Sequence, residues 1–214
     1  MDLIEKTIEF VKSSLASAEG GHDWWHIQRV LNNTRSIASK EQVDLEICEL
    51  GALLHDIADP KFHNGDEKKG GRIAREFLTL NSVPEKQILA VLDIIDNISF
   101  SKGTDTKTNK SPELQVVQDA DRLDAMGAIG IARAFNYGGY KNRIMHDPSI
   151  PPKKYANSNE YRNSDSPTLN HFHEKLLLLK DLMNTDTGKE MAEKRHAFML
   201  DFLKHFHGEW NGEV

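Results

Sequence analysis

The sequence predicts an all-α fold on three observations. Apolar residues recur at the 3.6-residue spacing of amphipathic helices along most of the chain. No strong alternating apolar and polar pattern of the kind a half-buried strand needs interrupts them. Cap residues, prolines and glycines fall at the ends of the periodic runs, where helices start and stop. At 214 residues the chain is long enough to bury one substantial core, and a single domain with one long loop insertion is the expected organisation.

Ile4, Ile8, Val11 and Leu15 mark a first helix that stops before Gly20-Gly21. Asp23 caps a second, whose inward face reads Ile27, Val30, Leu31, Thr34, Ile37 and Ala38, with His26 one turn before Val30. A third begins at Asp44 and carries Leu45, Cys48, Ala52 and His55 on neighbouring turns. It is expected to end near Asp59-Pro60, because the residue before a proline disfavours helical geometry. The fourth spans about 66–80 with Ile73, Phe77 and Leu80 inward, and Gly70-Gly71 permit close packing. Ser82-Val83-Pro84-Glu85 has the spacing of a capping box and opens a fifth helix containing Ile88, Leu92 and Ile95.

A polar loop over 99–110 follows, and Ser111-Pro112-Glu113 reads as a cap with proline in the first turn of the helix that bears Asp121. From Asn136 to Ser166 the aliphatics give way to Gly, Asn, Tyr, Pro and Ser, the composition of a long loop. Its Tyr137, Tyr140, Arg143, Tyr155, Tyr161 and Arg162 are candidates to cover a pocket, with a plain surface excursion as the alternative. Ser166-Pro167 restarts helix, and two amphipathic stretches, roughly 167–184 and 187–207, close the chain, with Leu176 to Leu179 read as core.

Composition narrows the function. The formal charge is −6, and Lys and Arg are dispersed without a basic cluster interleaved with aromatics, which argues against binding a nucleic acid polymer through its backbone. A small anionic substrate in one basic pocket stays compatible. No apolar run approaches the roughly 18 residues that cross a bilayer, and Met1-Asp2-Leu3-Ile4-Glu5-Lys6 resembles no leader, so a cytoplasmic location is expected. Cys48 is the sole cysteine, which leaves neither a disulfide within this sequence nor a cysteine-rich zinc site and points to a packing role.

Three His-Asp dipeptides occur, and their settings differ. His22-Asp23 follows two glycines and His146-Asp147 precedes a proline, both loop contexts. His55-Asp56 lies inside Gly51-Ala52-Leu53-Leu54-His55-Asp56-Ile57-Ala58, an apolar run. An imidazole and a carboxylate that face a low-dielectric interior are costly unless hydrogen-bonded, neutralised or bound to a metal. His26 on the preceding helix and Asp121 within Gln118-Asp119-Ala120-Asp121-Arg122-Leu123-Asp124 supply further inward polar groups. Three helices thus offer donors to one divalent cation, with a purely structural His-Asp hydrogen bond as the alternative.

In this order these segments resemble the HD superfamily of metal-dependent phosphohydrolases. His26-Ile27-Gln28-Arg29-Val30, Ala52-Leu53-Leu54-His55-Asp56-Ile57 and Asp119-Ala120-Asp121-Arg122-Leu123-Asp124-Ala125 are similar to its three signatures. Gly21 to His26, His55 to Phe62, Asp119 to Arg133, His171 to Leu176 and the end Glu209-Trp210 are similar to a bacterial subgroup, largely uncharacterised, that includes nucleotide pyrophosphohydrolases. The resemblance implies His26, His55, Asp56 and Asp121 as metal ligands, Asp121 being chosen because it precedes the basic Arg122. Asp119 and Asp124 are then expected on the helix surface or as partners of the ligands.

The same resemblance implies one divalent ion, with Mn, Mg, Fe, Co, Ni and Zn all open and Ca the least natural match. His63 is the sole histidine between His55-Asp56 and Asp121 and reads as a loop residue. The fifth helix offers Asp93, Asp96 and Asn97 instead, so a mononuclear site is expected. Asp56 and Asp59 are the expected catalytic carboxylates, Asp59 as general acid or base one turn after His55. Lys61 and Arg122 are the preferred phosphate contacts, with Arg29, Lys69, Arg72 and Lys175 next among the cations. Trp24 and Trp25 are expected to pack at the helix start, base stacking being the alternative.

The expected function is hydrolysis of a nucleotide, by a nucleoside or deoxynucleoside triphosphate pyrophosphohydrolase or a nucleotidase. The alternative is a catalytically silent nucleotide-binding or regulatory HD module. A helical synthase that uses Asp93-Ile94-Ile95-Asp96 to hold Mg leaves His26 and His55-Asp56 unexplained.

Overall fold

The computed structural model describes residues 1–16, 23–58, 66, 68–98, 109–155 and 165–213. Every regular element among them is helical, in two compact units, Met1–Asp121 and Arg122–Val214. None of these helices is long and apolar enough to cross a membrane. The expected glycine stop at Gly20-Gly21 and most of the 99–110 loop, with Asp59, Lys61, His63, Tyr161 and Arg162, lie outside the described residues.

The first unit holds α1 (Leu3–Ser14), α2 (Trp24–Ala38), α3 (Leu45–Leu54), α4 (Lys69–Leu80), α5 (Glu85–Asn97) and α6 (Pro112–Asp124) up to Asp121. α1, α2, α3 and α6 start where short polar side chains take up orphan backbone N–H groups. Asp2 and Glu5 close a capping box on α1, and Asp44 accepts the Ile47 N–H at 3.2 Å to open α3. Ser111 Oγ accepts the Leu114 N–H at 3.2 Å with Pro112 as the first residue of α6, as its sequence predicts.

α3 is buried from Cys48 to Leu54 and packs on α2, α5 and α1. Gly51 lets α5 come close: a methyl group there would sit 2.7 Å from Ile94 Cδ1. Arg35 Nε of α2 donates to Glu49 Oε1 of α3 at 2.5 Å, and Phe10 of α1 stacks on Phe77 of α4 with ring centroids 4.2 Å apart. Cys48 is buried here, and burial, then Glu113, Asp44 and Glu49, pushes its thiol up to about 12. It is a core side chain held in the protonated form.

The capping box expected at Ser82 is absent. Ser82 has φ +59° and ends α4: its N–H bonds the Thr79 carbonyl at 3.0 Å while the Val83 N–H reaches the Leu78 carbonyl at 3.1 Å. This is the paired closure of a Schellman motif, with buried Val83 and Leu78 as its apolar pair. The serine is used to stop one helix, so α5 starts at Glu85 behind Pro84, and Glu85 instead pairs with Arg75 at 2.8 Å.

The second unit comprises Arg122–Asp124 of α6, α7 (Gly127–Tyr140), α8 (Asn170–Glu174), a 3₁₀ segment Leu176–Leu182 and α9 (Asp186–Asn211). The loop expected to begin at Asn136 begins at 141, because α7 continues through Tyr140. Gly138 makes this possible: a methyl group there would meet Thr168 Oγ1 at 2.1 Å, so the glycine permits the helix to lie against the restart of the chain. The expected helix over 167–184 is broken at Lys175, whose φ −146° and ψ −56° leave the α region, and only Leu176 and Leu179 of the four leucines are fully buried. Phe135, Phe202 and Phe206, all half-buried, cluster with buried Phe172 between α7, α8 and α9.

Candidate metal centre

α2 begins at Trp24 because the Asp23 carboxylate turns back onto the His26 N–H at 2.9 Å. The cap therefore fixes the residue that carries the imidazole. His26 is buried, and its ring stands edge-on to His55 with centroids 5.4 Å apart.

His55 and Asp56 do not continue α3. The helix ends at Leu54, well before Asp59, with His55 as its C-cap and 55–58 forming turns. The reason is local. His55 Nδ1 lies 2.8 Å from the Ala52 carbonyl, an oxygen that a continuing helix would give to the Asp56 N–H. The Ile57 N–H instead bonds Leu54 at 3.4 Å, an i to i+3 link that tightens the chain out of the α ladder. A carbonyl only accepts, so Nδ1 carries the proton and a neutral His55 presents its Nε2 lone pair. This hydrogen bond, made where the helix ends, sets the tautomer in which Nε2 keeps its lone pair.

One donor atom from each of His26, His55 and Asp56 lies within 4.8 Å of the other two. Among the described residues this is the one group of three His, Cys, Asp or Glu so disposed. Asp121 meets it at one edge, with Oδ1 3.5 Å from His26 Nε2. Donors held about 2.1 Å from a single ion stand roughly 3 to 4 Å apart, so the spacing fits a shared cation. Two imidazoles and two carboxylates suit Mn, Mg, Fe, Co, Ni or Zn and do not choose among them.

What brings Asp121 to α2 is a residue that sequence reasoning missed. Asn33, buried, donates its Nδ2–H to the Ala120 carbonyl at 3.1 Å and so ties α6 to α2 one residue before Asp121. Its signal was available: Asn33 lies seven residues after His26, on the same inward stripe of an otherwise apolar face. Gln118, also buried, adds a second tie through its Nε2–H to the Asn97 carbonyl at 2.8 Å.

The other expected residues fall variously. Arg29 is half-buried one turn past His26. Asp119 and Asp124 are buried and not on the helix surface. Asp124 pairs with Arg133, and Arg195, which Asp124 also attracts, donates to the Leu123 carbonyl at 2.5 Å. Arg122 is buried, and one guanidinium N–H donates to the Leu182 carbonyl at 2.5 Å, so at least that donor serves packing in the second unit. Lys175 lies in the second unit at the break after α8. Trp24 receives Lys12 Nζ 5.0 Å from its ring, while Trp25 is exposed.

Residues 24–126 match the family model of the HD domain. Along its sequence the chain is 39% identical to the uncharacterised Bacillus subtilis protein YpgQ, over 94% of this chain and 90% of YpgQ. Its structure resembles that of an HD-superfamily hydrolase from Bacillus thuringiensis with a TM-score of 0.78 at 47% identity, covering 97% of this chain and 96% of the other. It resembles that of Bacillus subtilis YpgQ in complex with ADP with a TM-score of 0.74 at 33% identity, covering 96% and 97%. The chain belongs to the HD superfamily.

Proposed function

We propose that this protein is a divalent-metal-dependent phosphohydrolase that cleaves a nucleotide, releasing phosphate or pyrophosphate. The observation that carries the reading is the convergence of His26 on α2 with His55 and Asp56 in the turn after α3, one donor atom of each within 4.8 Å of the others. When bound, one divalent cation supplies Lewis acidity toward phosphoryl oxygens and activation of water. His26 and His55 offer neutral nitrogen donors, and Asp56 and Asp121 offer two negative charges that balance a dication. The balanced centre does not repel an anionic substrate as uncompensated carboxylates would.

Asp59, four residues after His55 in sequence, exchanges the proton of the attacking water or leaving group. Lys61 and Arg29 hold phosphate oxygens. That the related YpgQ binds ADP supports a nucleotide as the substrate class. The second reading, a nucleotide-binding module without turnover, differs in one outcome. Phosphate and pyrophosphate release is measured over a nucleotide panel with Mn, Mg, Co, Ni, Fe and Zn, wild type against Asp56→Ala. Release that depends on metal and is abolished in the variant is expected. Equal behaviour of the two proteins across the panel ends the enzyme reading.

A further inference from the structure

The metal centre uses His55-Asp56 and the cap of α2 uses Asp23, which leaves the third His-Asp dipeptide, His146-Asp147, without an assigned part. It lies in the second unit, in the segment that follows α7. Two backbone bonds fix that segment: the Thr168 N–H bonds the Ile144 carbonyl and the Leu169 N–H bonds the Met145 carbonyl, each at 3.0 Å. The His146 imidazole then meets the last two turns of α9. It stands steeply against the rings of Trp210, His207 and Phe206, with centroids 4.8, 5.4 and 5.8 Å away. Phe206 in turn stacks on Trp210 at 6.0 Å and meets His207 at 5.8 Å, so the three α9 rings form one wall.

This wall suits a neutral imidazole and not a charged one. His146 Nδ1 is buried and has no hydrogen-bond partner among the described residues. A neutral ring can leave that nitrogen as an unmatched lone pair. Imidazolium carries a proton on both nitrogens, so in this seat it presents a buried, charged N–H with no acceptor to receive it. The charges that act on the ring oppose each other: His207 of α9 repels imidazolium, and Asp147 attracts it. Asp147 is drawn toward its own turn, where one carboxylate oxygen takes the Ser149 N–H at 2.8 Å and the Ser149 hydroxyl at 2.7 Å. Thr168 and Leu169, which meet the segment from the chain entering α8, carry no charge. Burial first, then His207, outweigh Asp147 and hold His146 below its ordinary value of 6.5.

We propose that His146 is an acid-released latch: neutral, it holds residues 141–147 on the end of α9, and protonated, it lets them lift away. Release stays local, because further along the Asn170 amide donates to the Ile150 carbonyl at 2.8 Å and Glu174 takes the Lys153 N–H at 3.1 Å. The sign follows from linkage. Lifted into water the imidazole titrates near 6.5, and latched it titrates lower. Latching therefore contributes in full above about 6.5 and loses that contribution as pH falls through the latched midpoint.

The test follows the full chain by NMR from roughly pH 8 to 4, a range that brackets histidine titration. The His146 ring resonance, assigned by its loss in His146→Phe, gives the midpoint. Amide hydrogen exchange at Thr168 and Leu169 reports release, and Met199 in the buried middle of α9 reports global unfolding. The midpoint should lie below that of a free histidine side chain. Protection of the two amides should fall through the same midpoint, by about tenfold for each unit of depression, with Met199 unchanged. His146→Phe keeps a ring on the wall and cannot charge, so its protection should stay flat; His171, lowered to about 3, titrates too low to mimic the effect. His207→Gln, at an exposed position, should raise the His146 midpoint, and Asp147→Asn should lower it further.

A midpoint at or above the free value would mean that the aromatic wall favours the cation, and would overturn the latch. So would full protection retained below the midpoint, an acid loss that persists in His146→Phe, or a His207→Gln midpoint no higher than wild type. If His146→Phe does not fold, the midpoint shifts in His207→Gln and Asp147→Asn decide. None of these readouts involves metal or turnover, so the Asp56→Ala comparison stands apart from them.

Discussion

The corner of Met1–Asp121 built from His26, His55, Asp56 and Asp121, and the knot around Asp124 in Arg122–Val214, both set carboxylates against nitrogen donors. They do so to opposite ends. Asp124 is 1% exposed and meets Arg133, with the charge of Arg195 close by. Guanidinium groups stay charged at any ordinary pH, so the buried carboxylate is neutralised for good, and the arrangement fixes packing. Asp121 is 34% exposed and meets an imidazole, which is neutral when unprotonated and has a lone pair to give. A carboxylate opposed by arginine has a permanent counter-charge, whereas one opposed by a neutral imidazole does not, and the proposed metal centre uses that difference.

The largest way to break this contrast is Asp56→Ala. Loss of one ligand should cost several kcal/mol of transition-state stabilisation, roughly a thousandfold or more in kcat/KM, with the urea midpoint little changed in EDTA. Asp124→Ala should do the reverse. It strands arginine charge near the core and should cost about 3–5 kcal/mol of folding stability in urea titrations. A variant that lost turnover but no stability would show that Asp124 belongs with the ligands.

Asn33→Leu tests the tie between α2 and α6. It removes a buried donor from the Ala120 carbonyl and should cost about 1–3 kcal/mol in urea, and loosening of Asp121 should weaken metal affinity roughly 10- to 100-fold in calorimetry. Asp23→Ala removes the cap that seats His26 and should cost about 1 kcal/mol, with a smaller fall in metal affinity. The pH dependence of stability sharpens the second region. His171 is lowered to about 3 in the fold against an unfolded value near 6.5. The unfolded chain therefore binds the proton first, and the His171 contribution is complete above about 6.5 and is lost as pH falls toward 3. Thermal melts of His171→Gln should show a flatter acid limb than wild type.

Much of this was legible in the linear chain, for identifiable reasons. Helical periodicity and the caps at Asp23, Asp44 and Ser111 are local, because an N-cap bonds an N–H only three residues away. Where two local readings competed, the sequence was ambiguous. Ser82 reads equally as a cap and as a C-terminal stop, and the positive φ that decides it does not show in residue type. The continuation of α7 to Tyr140 was hidden because Gly138 reads as a loop residue until Thr168 is seen against it. The end of α3 at Leu54 was hidden because the apolar pattern runs on through Ile57 and Ala58, while the Ile57 N–H bonds the Leu54 carbonyl in an i to i+3 link that residue type does not show.

By itself the sequence determined the helical class, the order of the His, His-Asp and Asp segments and the residue types able to hold a cation. These depend on composition and on spacings of three to seven residues, which a chain carries wherever it goes. Tertiary structure alone decided that His26 Nε2 and Asp121 Oδ1 lie 3.5 Å apart, that Asn33 brings α6 to α2, and that Asp124 faces arginine while Asp121 faces histidine. Those outcomes follow from which helices pack against which, a property of long-range burial that no local spacing encodes.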